Sequence, residues 1–325
     1  MKKFLTILLI AVLAVASVFT FTACDDGAET DGKKGLLYKK NRDGAYVIYK
    51  YVDDGRTSTE LDVAQEVKDI QAELDDGTKL IIRKGAFAGN DTIKKLVIPA
   101  SVTEVEAGAL EKMEKLEELE VAYVGKTALS DAYYAESKKA DGKSVDAERT
   151  IAHYFGTEAF DNGVSVTVNY GAGSKTAYMP ATLTKVTVNP VEAYSIPMYA
   201  FNSAYNILNV ELGDMVDAIG TFAFASTRLT SITLPVGVKT VYESAFANSV
   251  LLKTVTFNGS DLVIKAEAFS GCVKFESFNS TTKNYVDCTK VASVGRNAFN
   301  FGNDNEYDFS NVTNTDVAFG EQGHK

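Results

Sequence analysis

The stretch Leu229-Thr230-Ser231-Ile232-Thr233-Leu234-Pro235-Val236-Gly237-Val238-Lys239-Thr240-Val241-Tyr242-Glu243-Ser244-Ala245-Phe246 decides the fold. Ile232 and Leu234 alternate with Ser231 and Thr233, the period-two pattern of a strand with one apolar face. Pro235 has no backbone N–H to give to a ladder, so the strand has to stop there. Val238 and Val241 then form a second short apolar segment, and Ala245-Phe246 closes the unit on an aromatic.

Working outward from Phe246, the same unit recurs. Phe201, Phe224, Phe246 and Phe269 are spaced 23, 22 and 23 residues apart, and Phe87 and Leu110 are also 23 apart. Phe299 follows Phe269 after 30 residues, and Phe319 follows Phe299 after 20. Paired apolar residues stand eight and five before the anchor: Val102 and Val105, Val216 and Ile219, Val238 and Val241, Val291 and Val294. An apolar-x-x-apolar-x-apolar segment follows it, as in Ile93, Leu96, Ile98 and in Leu252, Val255, Phe257. No unit of this length can bury its apolar side alone, whereas stacked units share one core in which each touches only its neighbours. The expectation is a β-rich solenoid of parallel short strands with a repeat of about 23 residues and an apolar ladder inside.

Two regions depart from the period. Residues 36–84 read as a degenerate, capping first repeat before the regular repeats of 85–121, because a terminal coil has to shield the ladder on one side. Residues 122–182 read as one enlarged repeat that contains Tyr154-Phe155-Gly156; within it Ala159-Phe160 lacks the upstream valines and counts as insertion. Regular order resumes at Leu183 and runs to Phe319, leaving a tail of 320–325.

These motifs resemble the BspA-like leucine-rich repeat, above all Leu96 to Val105 with Gly108-Ala109-Leu110, and Leu229 to Phe246. The resemblance implies the leucine-rich-repeat solenoid of the α/β horseshoe superfold, a place on the bacterial cell surface, and adhesion to a protein or glycan ligand.

The N-terminus carries separate information. Lys2 and Lys3 precede an apolar run from Phe4 to Phe21, then Thr22-Ala23-Cys24, which reads as an export signal over 1–23. The Cys24 context resembles the lipobox of bacterial lipoproteins, with Phe21 where leucine is usual. That resemblance implies cleavage before Cys24 and acylation of its sulfur, an anchor to the membrane in which each buried methylene contributes about 0.8 kcal/mol. Residues 24–35 are too polar to fold alone and read as a tether.

Catalytic chemistry finds little support. The two histidines are His153, in the insertion, and His324, at the end of the chain, and no Gly-x-Ser-x-Gly elbow accompanies them. No His/Cys cluster has zinc spacing, so neither a metal nor a cofactor is expected. Gly171-Ala172-Gly173-Ser174-Lys175-Thr176 lacks the spacing of a phosphate loop and reads as a hairpin turn. The acidic run Asp304 to Asp308 lacks EF-hand spacing. Cys272 and Cys288 allow one disulfide between them, but two free thiols are the expected state, with Cys272 in a small-or-apolar packing slot three after Phe269. A formal net charge of −10 argues against nucleic acid and anionic lipid head groups as partners.

What remains is a surface. Side chains alternate along a strand, so the positions between the apolar ones point outward in two columns. One column is Lys95, Glu118, Lys185, Asn209, Ser231, Thr254 and Ser277; the other is Val97, Glu120, Thr187, Glu211, Thr233, Thr256 and Asn279. The expected function is ligand binding through this face rather than catalysis, with a self-associating envelope scaffold as the competing reading.

Overall fold

Each Ala-Phe pair builds the same turn, and the turns stack. The N–H of Phe201 donates to the carbonyl of Ala223, Phe224 to Ala245, Phe246 to Ala268 and Phe269 to Ala298, at 2.7–2.9 Å. Alanine before the anchor is small enough to let successive turns approach to hydrogen-bonding distance. The rings then stack: centroids are 5.0 Å apart for Phe201–Phe224, 5.2 Å for Phe224–Phe246 and 5.1 Å for Phe246–Phe269. Two left-handed residues flank the anchor in most coils, at positions two before and two after it. Glycine fills both in the first coil (Gly85, φ 71°; Gly89, φ 68°), while Ser244 (φ 53°) and Asn248 (φ 58°) fill them around Phe246.

The chain, a computed structural model, is described over residues 33–128, 146–170 and 173–311. The export signal, Cys24, most of the tether, Phe319 and the tail 320–325 lie outside the described residues. The strands follow the alternation read from the sequence and form two parallel ladders. The first ladder contains β3 (Glu60–Asp62), β5 (Lys95–Ile98), β7 (Glu118–Val121), β10 (Lys185–Val188) and β12 (Asn209–Leu212). It continues as a second sheet of β14 (Ser231–Leu234), β16 (Thr254–Phe257), β18 (Ser277–Phe278) and β19 (Tyr285–Val286). β5 ends at Ile98 and β14 at Leu234, each immediately before a proline.

The paired valines form the other ladder. β1 (Gly35–Lys40) and β2 (Tyr46–Val52) make an antiparallel hairpin, and β4 (Leu80–Ile82) and β6 (Val102–Val105) add to it in parallel. β11 (Tyr194–Ile196), β13 (Val216–Ile219), β15 (Thr240–Val241), β17 (Leu262–Ile264) and β20 (Val291–Val294) form its later part. Between the ladders lies one continuous core containing Leu96, Leu119, Val186, Ile232 and Val255 from the first and Val105, Ile219, Val241 and Ile264 from the second. The fold is therefore a leucine-rich-repeat solenoid. The α part of the α/β expectation is small. Among the described residues, α-helix is confined to α1 (Val63–Glu66), capped by the Asp62 carboxylate on the Ala64 N–H at 2.9 Å, and α2 (Gln71–Asp75).

The enlarged repeat returns to register. β7 and β10, far apart in sequence, pair as direct neighbours, Leu119 opposite Val186. Two excursions leave between them. One departs after Lys126; the other is the hairpin of β8 (Gly163–Tyr170) and β9 (Gly173–Pro180), which confirms a hairpin over Gly171 to Thr176, with residues 171 and 172 outside the described set. The anchor of this coil is Tyr154-Phe155. The Leu110 N–H donates to the Tyr154 carbonyl at 2.9 Å, where other anchors donate to their next Ala, and Phe155 is buried.

The slot three residues after the anchor is polar for a reason the sequence conceals. Thr227 Oγ1 and Ser249 Oγ both donate to the Phe224 carbonyl, at 3.0 and 2.6 Å, and Cys272 Sγ donates to the Phe246 carbonyl at 3.2 Å. Cys272 thus occupies a hydroxyl's place in the ladder. Both Cys272 and Cys288 are buried free thiols.

Candidate functional site: the strand face

The outward positions of the first ladder line up in register. Cα pairing places Lys95 beside Glu118, Glu118 beside Lys185 and Lys185 beside Asn209; Val97, Glu120, Thr187 and Glu211 form the parallel column. Ser231 sits beside Thr254 and Thr233 beside Thr256 on the second sheet. β3 extends both columns by Glu60 and Asp62, opposite Lys95 and Val97. Their signal, Glu60-Leu61-Asp62, is a three-residue alternation too short to stand out within the capping region.

Two expected positions are corrected. Ser277 is buried, because β19 adds after β18 and holds Ser277 between Thr254 and Tyr285. Asn279 lies beyond the two-residue strand β18, in a left-handed conformation (φ 49°), with its Oδ1 accepting the Phe257 N–H at 3.3 Å. It caps a strand end and leaves the column.

The face divides by chemistry. Its first half is a lattice of charges. Lys95 pairs with Glu60 at 2.7 Å, a hydrogen bond that raises the lysine pKa, and Lys94 pairs with Glu117 at 2.7 Å. Lys185 lies 3.0 Å from Glu211 and 3.8 Å from Glu118, and Thr187 Oγ1 donates to Glu211 at 3.4 Å. Such exposed pairs each contribute at most about 1 kcal/mol. The second half presents Ser231, Thr233, Thr254 and Thr256, whose hydroxyls make no hydrogen bond to protein among the described residues. A donor and acceptor on each of these hydroxyls therefore remains for water or a ligand.

An open depression of about 550 Å³ lies at the strand-entry edge of the charged half, lined by Glu117, Glu118, Thr184, Lys185, Leu208 and Asn209 among others. Its shape follows from side-chain length. Backbone hydrogen bonds set Glu117, Thr184 and Leu208 side by side on three successive coils, a short residue between two long ones.

His153 belongs to the core. It is buried, its Nε2–H donates to the Val105 carbonyl at 3.0 Å, and burial pushes its pKa down to about 4. Nδ1 has no partner. Beside it three buried tyrosines tie the enlarged repeat down. Tyr154 Oη donates to the Tyr123 carbonyl at 2.6 Å and accepts the Gly125 N–H, and Tyr194 Oη accepts the Val124 N–H at 2.8 Å. Gly125 (φ 99°) is required there, because a Cβ would lie 2.4 Å from the Glu148 carbonyl oxygen. Among the described residues no group of three or more His, Cys, Asp or Glu could hold a metal ion, and no helix is long and apolar enough to cross a membrane.

The family comparison agrees with this geometry. The BspA type leucine rich repeat region matches in six copies, over residues 73–175 and 171–301. Among solved structures, a leucine rich cell surface protein from Faecalibacterium prausnitzii A2-165 is 18% identical, with 86% of this chain and 75% of that chain covered and a TM-score of 0.36. The Treponema protein described as T. pallidum Leucine Rich Repeat protein is 15% identical, over 82% of this chain and 88% of that one, with a TM-score of 0.35. A leucine-rich repeat protein from Bacteroides ovatus ATCC 8483 is 16% identical, over 83% and 68%, with a TM-score of 0.33. No curated protein matches the sequence. With the family's repeat matched over well over half of the chain and its strands, anchors and turns in register, the chain belongs to the BspA-type leucine-rich-repeat family.

Proposed function

We propose that this chain is a lipid-anchored surface protein that uses its strand face to bind a protein or glycan ligand. The observation that carries the reading is the run of Ser231, Thr233, Thr254 and Thr256, four registered side chains whose hydroxyls have no protein partner among the described residues. They sit on a rigid ladder, so little side-chain or backbone ordering opposes a ligand that meets them. Membership of a surface repeat family supports the same reading, as does the export signal with Cys24 as its lipidation site. Residues 24–35 serve as the tether and 36–84 as the cap, and the columns from Lys95 to Glu211 form the charged flank of the binding face.

The test is a binding array of matrix proteins, bacterial surface proteins and glycans, probed with the full chain and with a Thr233→Arg/Thr256→Arg variant. The reading expects at least one ligand that the wild type binds and the variant loses, since two guanidinium groups fill the hydroxyl face. Unchanged binding by the variant refutes the strand face as the site. Mass spectrometry of the N-terminal peptide tests the anchor: an unmodified Cys24 in exported protein refutes lipidation.

A further inference from the structure

From β5 to β18, seven residues immediately precede the strands of the face: Lys94, Glu117, Thr184, Leu208, Thr230, Lys253 and Glu276. Six are polar. Leu208 alone is apolar, and it is 48% exposed. Nothing in the packing of its own coil requires it, because Ile207 supplies the buried contact. Leu208 forms one wall of the depression, Thr184 its low floor, and Glu117 and Glu118 the opposite wall. With neighbouring strands ~4.8 Å apart, the two walls stand roughly 10 Å apart at the backbone.

Charge inside the depression is not balanced. Lys185 leans to Glu211, 3.0 Å away, and reaches Glu118 only at 3.8 Å, beyond hydrogen-bonding distance. The Glu118 carboxylate has no hydrogen-bond partner among the described residues, and the side chain is 46% exposed. Glu117 is held by Lys94 through one carboxylate oxygen, at 2.7 Å, which leaves the other oxygen open. An exposed carboxylate wall facing an exposed aliphatic wall across a short gap matches a long cationic side chain, whose methylenes cover apolar surface while its head stays with charge. The chain's net charge of −10 steers such a group inward.

We infer that this depression is the anchoring subsite of the strand face and takes a lysine or arginine side chain of a protein partner. Glu118 and Glu117 receive the cationic head and Leu208 packs against the stem. The inference rests on the strand-face reading and gives that face a partner class, a protein with an exposed basic segment.

The probe is fluorescein-labelled hexalysine, titrated with the full chain by fluorescence anisotropy, with hexaglutamate as the opposite-charge control. Hexalysine binds and hexaglutamate does not. Glu118→Gln weakens hexalysine by about fivefold, the upper range for an exposed ion pair. Leu208→Thr, which installs the residue type found at Thr184 and Thr230, weakens it by about threefold through lost apolar cover. Glu243→Gln, an exposed carboxylate beside the other ladder and outside the strand face, leaves it unchanged, and circular dichroism melts show all three variants folded. Failure of hexalysine to bind, or equal affinity in Glu118→Gln and Leu208→Thr, overturns the subsite. Either failure with array binding still lost in Thr233→Arg/Thr256→Arg overturns the subsite alone, and the strand-face reading stands.

Discussion

Removing the Phe246 ring tests whether the aromatic ladder is what holds the coils together. Phe246 is fully buried and stacks on both sides, on Phe224 at 5.2 Å and 9° and on Phe269 at 5.1 Å and 11°. Truncation to alanine removes its transfer free energy and leaves a cavity, a loss of about 3–5 kcal/mol. Each broken ring pair accounts for about 0.5–1.5 kcal/mol of that beyond simple burial. Against a typical domain stability of about 5–15 kcal/mol, Phe246→Ala thus removes roughly a third. Leu110 fills the same place in an earlier coil, so Phe246→Leu keeps most of the buried volume and loses about 1–3 kcal/mol with the two ring pairs. Urea unfolding followed by circular dichroism gives both values. Because each coil touches only its neighbours, hydrogen exchange adds a spatial signature: protection falls first in β13 to β17, while β4 and β6 keep theirs. A loss below about 1 kcal/mol for Phe246→Ala, or an even fall in protection along the chain, refutes the ladder as the main coupling.

Acid acts through His153. Its folded pKa of about 4 lies below the ordinary 6.5, so the unfolded chain binds the proton first. Stability is therefore full above pH 6.5, falls by about 3 kcal/mol as the pH drops to about 4, and levels off below it. His153→Gln removes that part of the pH dependence in urea titrations, and an unchanged slope refutes the assignment. Gly125→Ala drives a Cβ to 2.4 Å from the Glu148 carbonyl oxygen and 2.6 Å from Arg149 Cα, both backbone atoms. It costs about 1–3 kcal/mol of strain, seen as a lower Tm with the loss centred on the enlarged repeat. Burial pushes the Cys272 thiol up to about 12, and that of Cys288 likewise. Neither reacts with a thiol reagent in the native state and both react in urea; native labelling of either refutes the buried-slot description.

Much of this fold was legible because an apolar ladder imposes the same requirement on every coil. Phe224, Phe246 and Phe269 each need an alanine before them and a strand after them, and the sequence repeats that requirement at nearly constant spacing. Strand register followed from it, so Lys95, Glu118, Lys185 and Asn209 could be placed in one column before any coordinates. Tyr154-Phe155 escaped as an anchor because buried hydrogen bonds replace the usual pattern there. Tyr154 and Tyr194 hold the coil through backbone groups of Tyr123 to Gly125, and Tyr123 through the Val102 carbonyl, where other coils use paired valines. Ser277 escaped for a different reason. Its own strand obeys the alternation, but Tyr285 of β19 stands directly beside it on the next coil, and nothing in the sequence near Ser277 announces that strand.

The depression marks the limit of reading columns from sequence. Alternation says which side chains point outward, yet concavity depends on the relative lengths of side chains on neighbouring coils. Which coils are neighbours is the harder fact. Glu117 and Thr184 are adjacent in space only because the enlarged repeat leaves the ladder after β7 and returns to it at β10. Had the insertion folded as a separate domain between two solenoids, Glu117 would face an exposed edge, and Leu208 would be an isolated surface leucine of no consequence. Because the ladder closes over the insertion, a carboxylate, a threonine and a leucine stand in that order across three strands. The site therefore depends on the buried tyrosine cluster that anchors the insertion. Loosening that cluster, as Gly125→Ala does, should weaken binding at the depression while leaving Thr233 and Thr256, one and two coils beyond Leu208, in place.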